Sequence, residues 1–230
     1  MRGGDNNFPF TPLPPKRERD WVRGDISQKP KPALTQNPMP DFYQTNYKTY
    51  DQRTFTIDPS PFLNPVLEAI PSGASILDIG CASGRDLVWF KNKGFTVTGF
   101  EKSPGLAALA RKNARCDVIE GDFETYDFSI LSFDAVLSSG AFVHVPHARL
   151  PEVIKSISLA LVQKGYFYIS LKKGEGTKTD DTGRTFYLWQ DADLRQIFDR
   201  TGFAVLNYQT SESVMNSRDV WLGYVLRLNR

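Results

Sequence analysis

A chain of 230 residues is long enough for one sizeable core and too short for two ordinary domains with linkers. A formal charge of +2 gives no compositional case for a nucleic-acid partner, and two cysteines, Cys81 and Cys116, exclude a disulfide scaffold and a paired zinc site, so no metal is expected. No segment approaches the roughly eighteen apolar residues of a membrane span, and the N-terminus lacks a signal peptide's apolar run; a reducing cytoplasm and no membrane partner are expected.

Residues 1–40 hold eight of the fifteen prolines and seven Lys/Arg against four Asp/Glu. Such composition buries too little apolar surface to offset ordering entropy, so 1–40 reads as a disordered proline-rich tail before a domain over 41–230. Within it, "FPFTPLPPKRERDW" also has the composition of a docking peptide for a protein partner.

From Asp41 the pattern becomes regular. "DFYQTNYKTYDQR" sets Phe42, Tyr43, Tyr47 and Tyr50 at helical spacings, and Ser60 before Pro61 predicts a capped second helix in "PFLNPVLEAI". Apolar runs and helical patterns then alternate. Strands are predicted at 75–79, 95–100, 116–119, 133–138 and 166–172, with helices near 84–93, 104–114 and 149–163. That order predicts parallel strands joined by right-handed crossovers. The helix "DADLRQIFDRTG" precedes two alternating runs, "FAVLNYQTSE" and "VWLGYVLRL", separated by a turn around Met215 to Arg218 and able to pair as a hairpin. A parallel sheet closed by an antiparallel C-terminal strand is the expected α/β architecture.

In open α/β sheets ligands bind beyond the carboxyl ends of the strands, which directs attention to "ILDIGCASGRD" after the first strand. Gly80 and Gly84 remove side chains, Cys81, Ala82 and Ser83 are small, and the next helix offers free N–H groups. A dinucleotide fingerprint would need glycines where Ala82 and Arg85 stand, and no Gly-Lys-Ser/Thr follows for a P-loop. Acids end successive strands instead. Glu101 is placed to accept the hydrogen bonds of a ribose diol, Asp122 those of an exocyclic amine, and Asp78 to orient the loop or meet an ammonium group. Such a set favours a nucleoside with amines and little phosphate.

"ILDIGCASGRD", "VTGFEKSP", "IEGDFE", "FDAVLSSGAFVHVP" and "LVQKGYFYISLKKGEG" together resemble the successive motifs of class I S-adenosylmethionine-dependent methyltransferases, over about residues 41–230. "GRD", "FVHVP", "KKGEG" and "GRTFYLW" are similar to small-molecule members of the tellurite-resistance and type 11 or 12 groups. The resemblance implies a Rossmann-like, seven-stranded, mostly parallel sheet with an antiparallel C-terminal strand and helices on both faces. It implies S-adenosyl-L-methionine as cofactor. Gly80, Cys81 and Gly84 would then line the methionine moiety, Glu101 the ribose, Lys102 and Ser103 the adenine edge, Asp122 and Phe123 the adenine, and Ser138 the region of the sulfonium. Arg85 is a candidate for the cofactor carboxylate, and Ala82 replaces the family's second glycine.

For the acceptor, His144 after the fourth strand is the candidate catalytic base or a lid residue, with His147 three positions on. Lys172, Lys173 and Glu175 follow the fifth strand; with Arg184 and Tyr187 they are candidates for substrate binding, the cations suiting an anion. Tyr43, Tyr47 and Tyr50 are placed to close over the cofactor. "SSGAF" stands where base amino-methyltransferases carry an Asp/Asn-Pro-Pro-Tyr motif, and no Pro-Cys pair exists for attack on cytosine, which favours a small-molecule substrate; a monomer is expected. A catalytically silent cofactor-binding or adaptor protein, and a protein or RNA methyltransferase, stay open.

Overall fold

The computed structural model describes residues 41–215 and 218–230; the proline-rich segment 1–40 and the middle of the turn near Met215 lie outside the described residues. Three short helices come first: α1 (Phe42–Thr45), α2 (Tyr47–Thr54) and α3 (Ser60–Ala69). The single helix expected across the first tyrosines is broken at Asn46, whose Nδ2 donates to the Phe42 carbonyl at 2.9 Å and competes with the helical backbone. Nor does Ser60 cap α3. Pro59 holds the cap position, and the Ser60 hydroxyl accepts from Trp89 Nε1 at 3.0 Å, tying α3 to the helix after the first strand.

Strands and helices then alternate: β1 (Ser75–Ile79), α4 (Arg85–Lys91), β2 (Thr96–Glu101), α5 (Pro104–Ala114), β3 (Val118–Glu120), β4 (Phe133–Ser139), α6 (Leu150–Ile157) and β5 (Leu161–Lys172). A small hairpin, β6 (Thr177–Thr179) and β7 (Thr185–Tyr187), precedes α7 (Asp191–Arg200), β8 (Phe203–Glu212) and β9 (Val220–Leu228). The main sheet has seven strands in the order β3-β2-β1-β4-β5-β9-β8. All neighbours are parallel except β9, which runs antiparallel to both β5 and β8. Strand order reverses between β1 and β4, where a crevice opens at the carboxyl ends.

Why the sheet is covered on both sides follows from its central strands, which are apolar on both faces. Leu77 and Ile79, with Val136, Phe167 and Ile169, pack against α6 and α7 through residues such as Val153, Ile154, Leu194 and Phe198. Ile76, Leu137 and Tyr168 face the other way, onto Leu63 and Val66 of α3, Leu87 and Phe90 of α4, and Ala107 and Ala110 of α5. Two departures from the expected elements stand out. Helix α6 ends at Ile157 and a 3-10 turn at Ser158–Ala160 leads straight into β5, because Leu161 pairs with Phe133 and the apolar run "LALV" serves a strand as well as a helix. The β6–β7 hairpin is the other. Its turn is built by Asp180, whose carboxylate accepts from the Thr182 N–H at 3.0 Å and the Arg184 N–H at 3.1 Å. Among the described residues no helix is long and apolar enough to cross a membrane.

Candidate active site

The loop after β1 turns on backbone conformations that L-residues avoid. Gly80 has φ +71°, and a Cβ there would lie 2.4 Å from the Ala141 Cβ, so only glycine lets the two chain segments approach. Ala82 holds a left-handed φ of +49° while its N–H donates to Glu101 Oε2 at 2.9 Å. The other Glu101 oxygen accepts from the Ser103 N–H at 2.9 Å. Glu101 is 7% exposed, and burial raises its pKa against the opposing pull of those backbone donors. The backbone thus fixes a carboxylate at the end of β2 with lone pairs left for a ligand.

A cavity of about 400 Å³ opens between this loop and helices α1 and α2, within the range of small-molecule sites. Gly80, Ala82 and Glu101 form one wall. Lys102, Asp122 and Phe123 form the second, where Lys102 Nζ meets Asp122 Oδ2 at 3.0 Å. Burial alone would raise the Asp122 pKa, but the Glu124 N–H and Lys102 hold it below its usual value. Ser139, Gly140 and Ala141 form the floor. Beside it, Asp78 lines a recess of about 50 Å³ with Arg85 and Ser139. Asp78 is 2% exposed, its Oδ2 has no protein partner, and burial, followed by the charge of Asp86, drives its pKa well up.

Tyr43, His144 and Arg184 roof the cavity. His144 Nδ1 lies 2.6 Å from the Thr185 carbonyl, which can only accept, so Nδ1 carries the proton. Nε2 then accepts from the Tyr43 hydroxyl at 2.8 Å. Both ring nitrogens are engaged, and burial lowers the histidine pKa from its usual 6.5. Arg184 donates to Asp180 Oδ2 at 2.7 Å and lies 4.1 Å from the centre of the Phe42 ring, joining hairpin to α1.

Of the residues singled out in the sequence, Asp78, Gly80, Ala82, Arg85, Glu101, Lys102, Asp122 and Phe123 border the cavity or its recess, together with Tyr43, His144 and Arg184. Others stand elsewhere. Cys81 borders the recess, but a Cβ on Gly99 would lie 2.8 Å from its Sγ, so the thiol points into the core. Gly84 (φ +88°) lets α4 pack on Ala110 of α5 and does not reach the cavity. The Ser103 hydroxyl is taken by the α5 cap and Gln44 Oε1. Ser138 is wholly buried within β4, and Ser139 lines the cavity in its place. Tyr47 packs on Gly105, Lys172 bonds Asp219 at 2.6 Å, Glu175 faces Gln190, and Tyr187 and His147 pack on each other. Tyr50, a candidate by its helical spacing, lines both the cavity and the recess; Gly140, marked by φ +74°, was the glycine not singled out.

The residues fit S-adenosylmethionine. They combine a glycine turn that brings the loop after β1 against Ala141 on the cavity wall, a buried carboxylate with lone pairs left over and an unpartnered carboxylate oxygen beside them. A methyltransferase-domain family model matches residues 76–165. An uncharacterized methyltransferase of Bacillus subtilis, YrrT, is 32% identical over 39% of this chain and 44% of its own length. The 2-methyl-6-phytyl-1,4-hydroquinone methyltransferase of Synechocystis is 28% identical over 58% of this chain and 42% of its own. The chain thus spans less than half the length of these two relatives. A TehB-like S-adenosylmethionine-dependent methyltransferase from Corynebacterium glutamicum superposes with a TM-score of 0.62 at 22% identity, over 79% of this chain and 97% of that one. Strand order, glycine loop and family match agree: the chain has the fold of class I S-adenosylmethionine-dependent methyltransferases, and its residues 76–165 match a methyltransferase domain.

Proposed function

We propose that the protein moves a methyl group from S-adenosylmethionine to a small-molecule acceptor. The observation that carries this is a second cavity, of about 250 Å³, that meets the cofactor cavity at Tyr50, Ser139 and Gly140. The cofactor, when bound, supplies an electrophilic methyl carbon, so an acceptor lone pair forms the new bond as the carbon–sulfur pair leaves with sulfur. Little acid–base work is then asked of the protein; its residues position and exclude water. Glu101 holds the nucleoside end, Asp78 and Arg85 flank the amino-acid end, and Tyr43, His144 and Arg184 close the roof. His144 donates through Nδ1 and accepts through Nε2, which makes it a positioning residue of that roof.

A small acceptor is supported by the hydroquinone methyltransferase among the relatives. A reducing compartment such as the cytoplasm suits the two unpaired cysteines. Turnover of methyl-labelled cofactor against a metabolite panel tests the proposal. Labelled product of low mass is the expected outcome; tight S-adenosylhomocysteine binding with no transfer to any small molecule, or label on protein or RNA, would overturn it.

A further inference from the structure

The second cavity differs in chemistry from the anion-binding site that the lysines and arginines of the sequence suggest. Phe62, Tyr168 and Trp221 supply aromatic walls, and the volume of about 250 Å³ lies below the range of drug-sized sites. Among the described residues three charged side chains line it: Asp58, Glu212 and Arg85. Arg85 is committed to Asp86, donating from Nε at 2.6 Å and from a terminal nitrogen at 3.1 Å. Lys172, beneath Trp221, is paired with Asp219 at 2.6 Å, and Arg184 belongs to the other cavity, where Asp180 holds it. What remains facing a ligand is negative. Of the described residues only Ser60 donates to Asp58, through the backbone N–H at 2.9 Å and through the side chain, and Glu212 lies exposed at the end of β8. Gln209 lines the same wall, its Nε2 donating to the Phe62 carbonyl at 3.0 Å and its side chain hydrogen-bonded to Tyr168. The Phe62 face already attracts a cation, with the Arg85 guanidinium 5.1 Å from its centre.

We propose that this cavity selects a small ring-bearing amine, its ring against the aromatic walls and its ammonium or amine group toward Asp58 and Glu212, and that it rejects carboxylate- and phosphate-bearing molecules. The assignment of that amine as the methyl acceptor rests on the methyltransferase reading above; the charge preference of the cavity does not.

Calorimetry on the full chain at neutral pH, with and without S-adenosylhomocysteine, tests this with tryptamine and indole-3-acetate, which share a ring system and differ in charge. Tryptamine should bind roughly tenfold more tightly, the size expected when one or two opposite-charge contacts near a protein surface are exchanged for like-charge ones. The double variant Asp58→Asn, Glu212→Gln should shrink that ratio to about threefold or less, with the melting temperature unchanged because both side chains are exposed. Equal or tighter binding of indole-3-acetate, a preference that survives in the double variant, or no binding of either probe would each overturn the proposal. Failure of S-adenosylhomocysteine to bind would overturn the methyltransferase reading instead, while the titrations without it still decide the charge preference.

Discussion

At Gly80 two demands meet, a φ of +71° and the Ala141 Cβ 2.4 Å from where a side chain would begin. Gly80→Ala should therefore cost about 2–4 kcal/mol in stability, from the left-handed backbone and the overlap together, measurable by urea denaturation. Glu101 holds the Ala82 and Ser103 N–H groups and, in the proposed reading, the ribose as well. Glu101→Ala should weaken S-adenosylhomocysteine by roughly 2–4 kcal/mol, since charge-assisted bonds to the ribose would be lost and their donors left unpaired; calorimetry with unchanged affinity would refute the role. His144 makes a statement about pH. Its folded pKa lies below the ordinary 6.5, so its contribution to stability is complete above about 6.5 and is lost as pH falls through the lower folded value. The melting temperature of the wild type should fall more between neutral and mildly acid pH than that of His144→Asn. If His144 only positions, His144→Asn also keeps most of the rate, and the wild type shows no acidic limb that the substitution removes.

The hairpin β6–β7 is the element with the least behind it: two three-residue strands fastened by the Asp180 turn and by Arg184 on the Phe42 ring. Asp180→Ala should speed hydrogen exchange in the hairpin, leave the sheet core protected, and weaken S-adenosylhomocysteine by about 1 kcal/mol as the roof loosens. Uniform loss of protection across the sheet would show that the hairpin is part of the core. Its sequence, Thr-Lys-Thr and Thr-Phe-Tyr around Asp-Asp-Thr-Gly, carries a turn signal, but the strands are too short to separate from a charged loop. The main strands were legible because burial on both faces writes continuous apolar runs such as Tyr166–Ile169. Helix ends were less so. Asn46 breaks a helix with a side-chain bond, and Leu161 leaves one for a strand partner 28 positions upstream, Phe133.

Across the whole molecule the two cavities show why one half of the site could be read and the other could not. The cofactor wall comes from loops at consecutive strand ends, so Gly80, Glu101 and Asp122 each sit in a local motif. The second cavity draws Phe62, Gln209 and Trp221 from remote parts of the chain, and no local pattern marks them. Charge was legible only as presence: Lys172 looked available until Asp219 was found against it. The roof joins segments just as distant, with Tyr43 bonded to His144 across 101 positions and Arg184 lying on Phe42. If exchange of the cofactor requires this clasp to open, opening breaks a half-buried hydrogen bond and parts a cation from its ring. Release of the spent cofactor, rather than bond exchange, would then set the pace of turnover, and mixing enzyme with saturating substrates should give a rapid burst of product followed by a slower steady rate. In Tyr43→Phe the burst should shrink as the steady rate rises, whereas a wild type with no burst would place the slow step before or at methyl transfer.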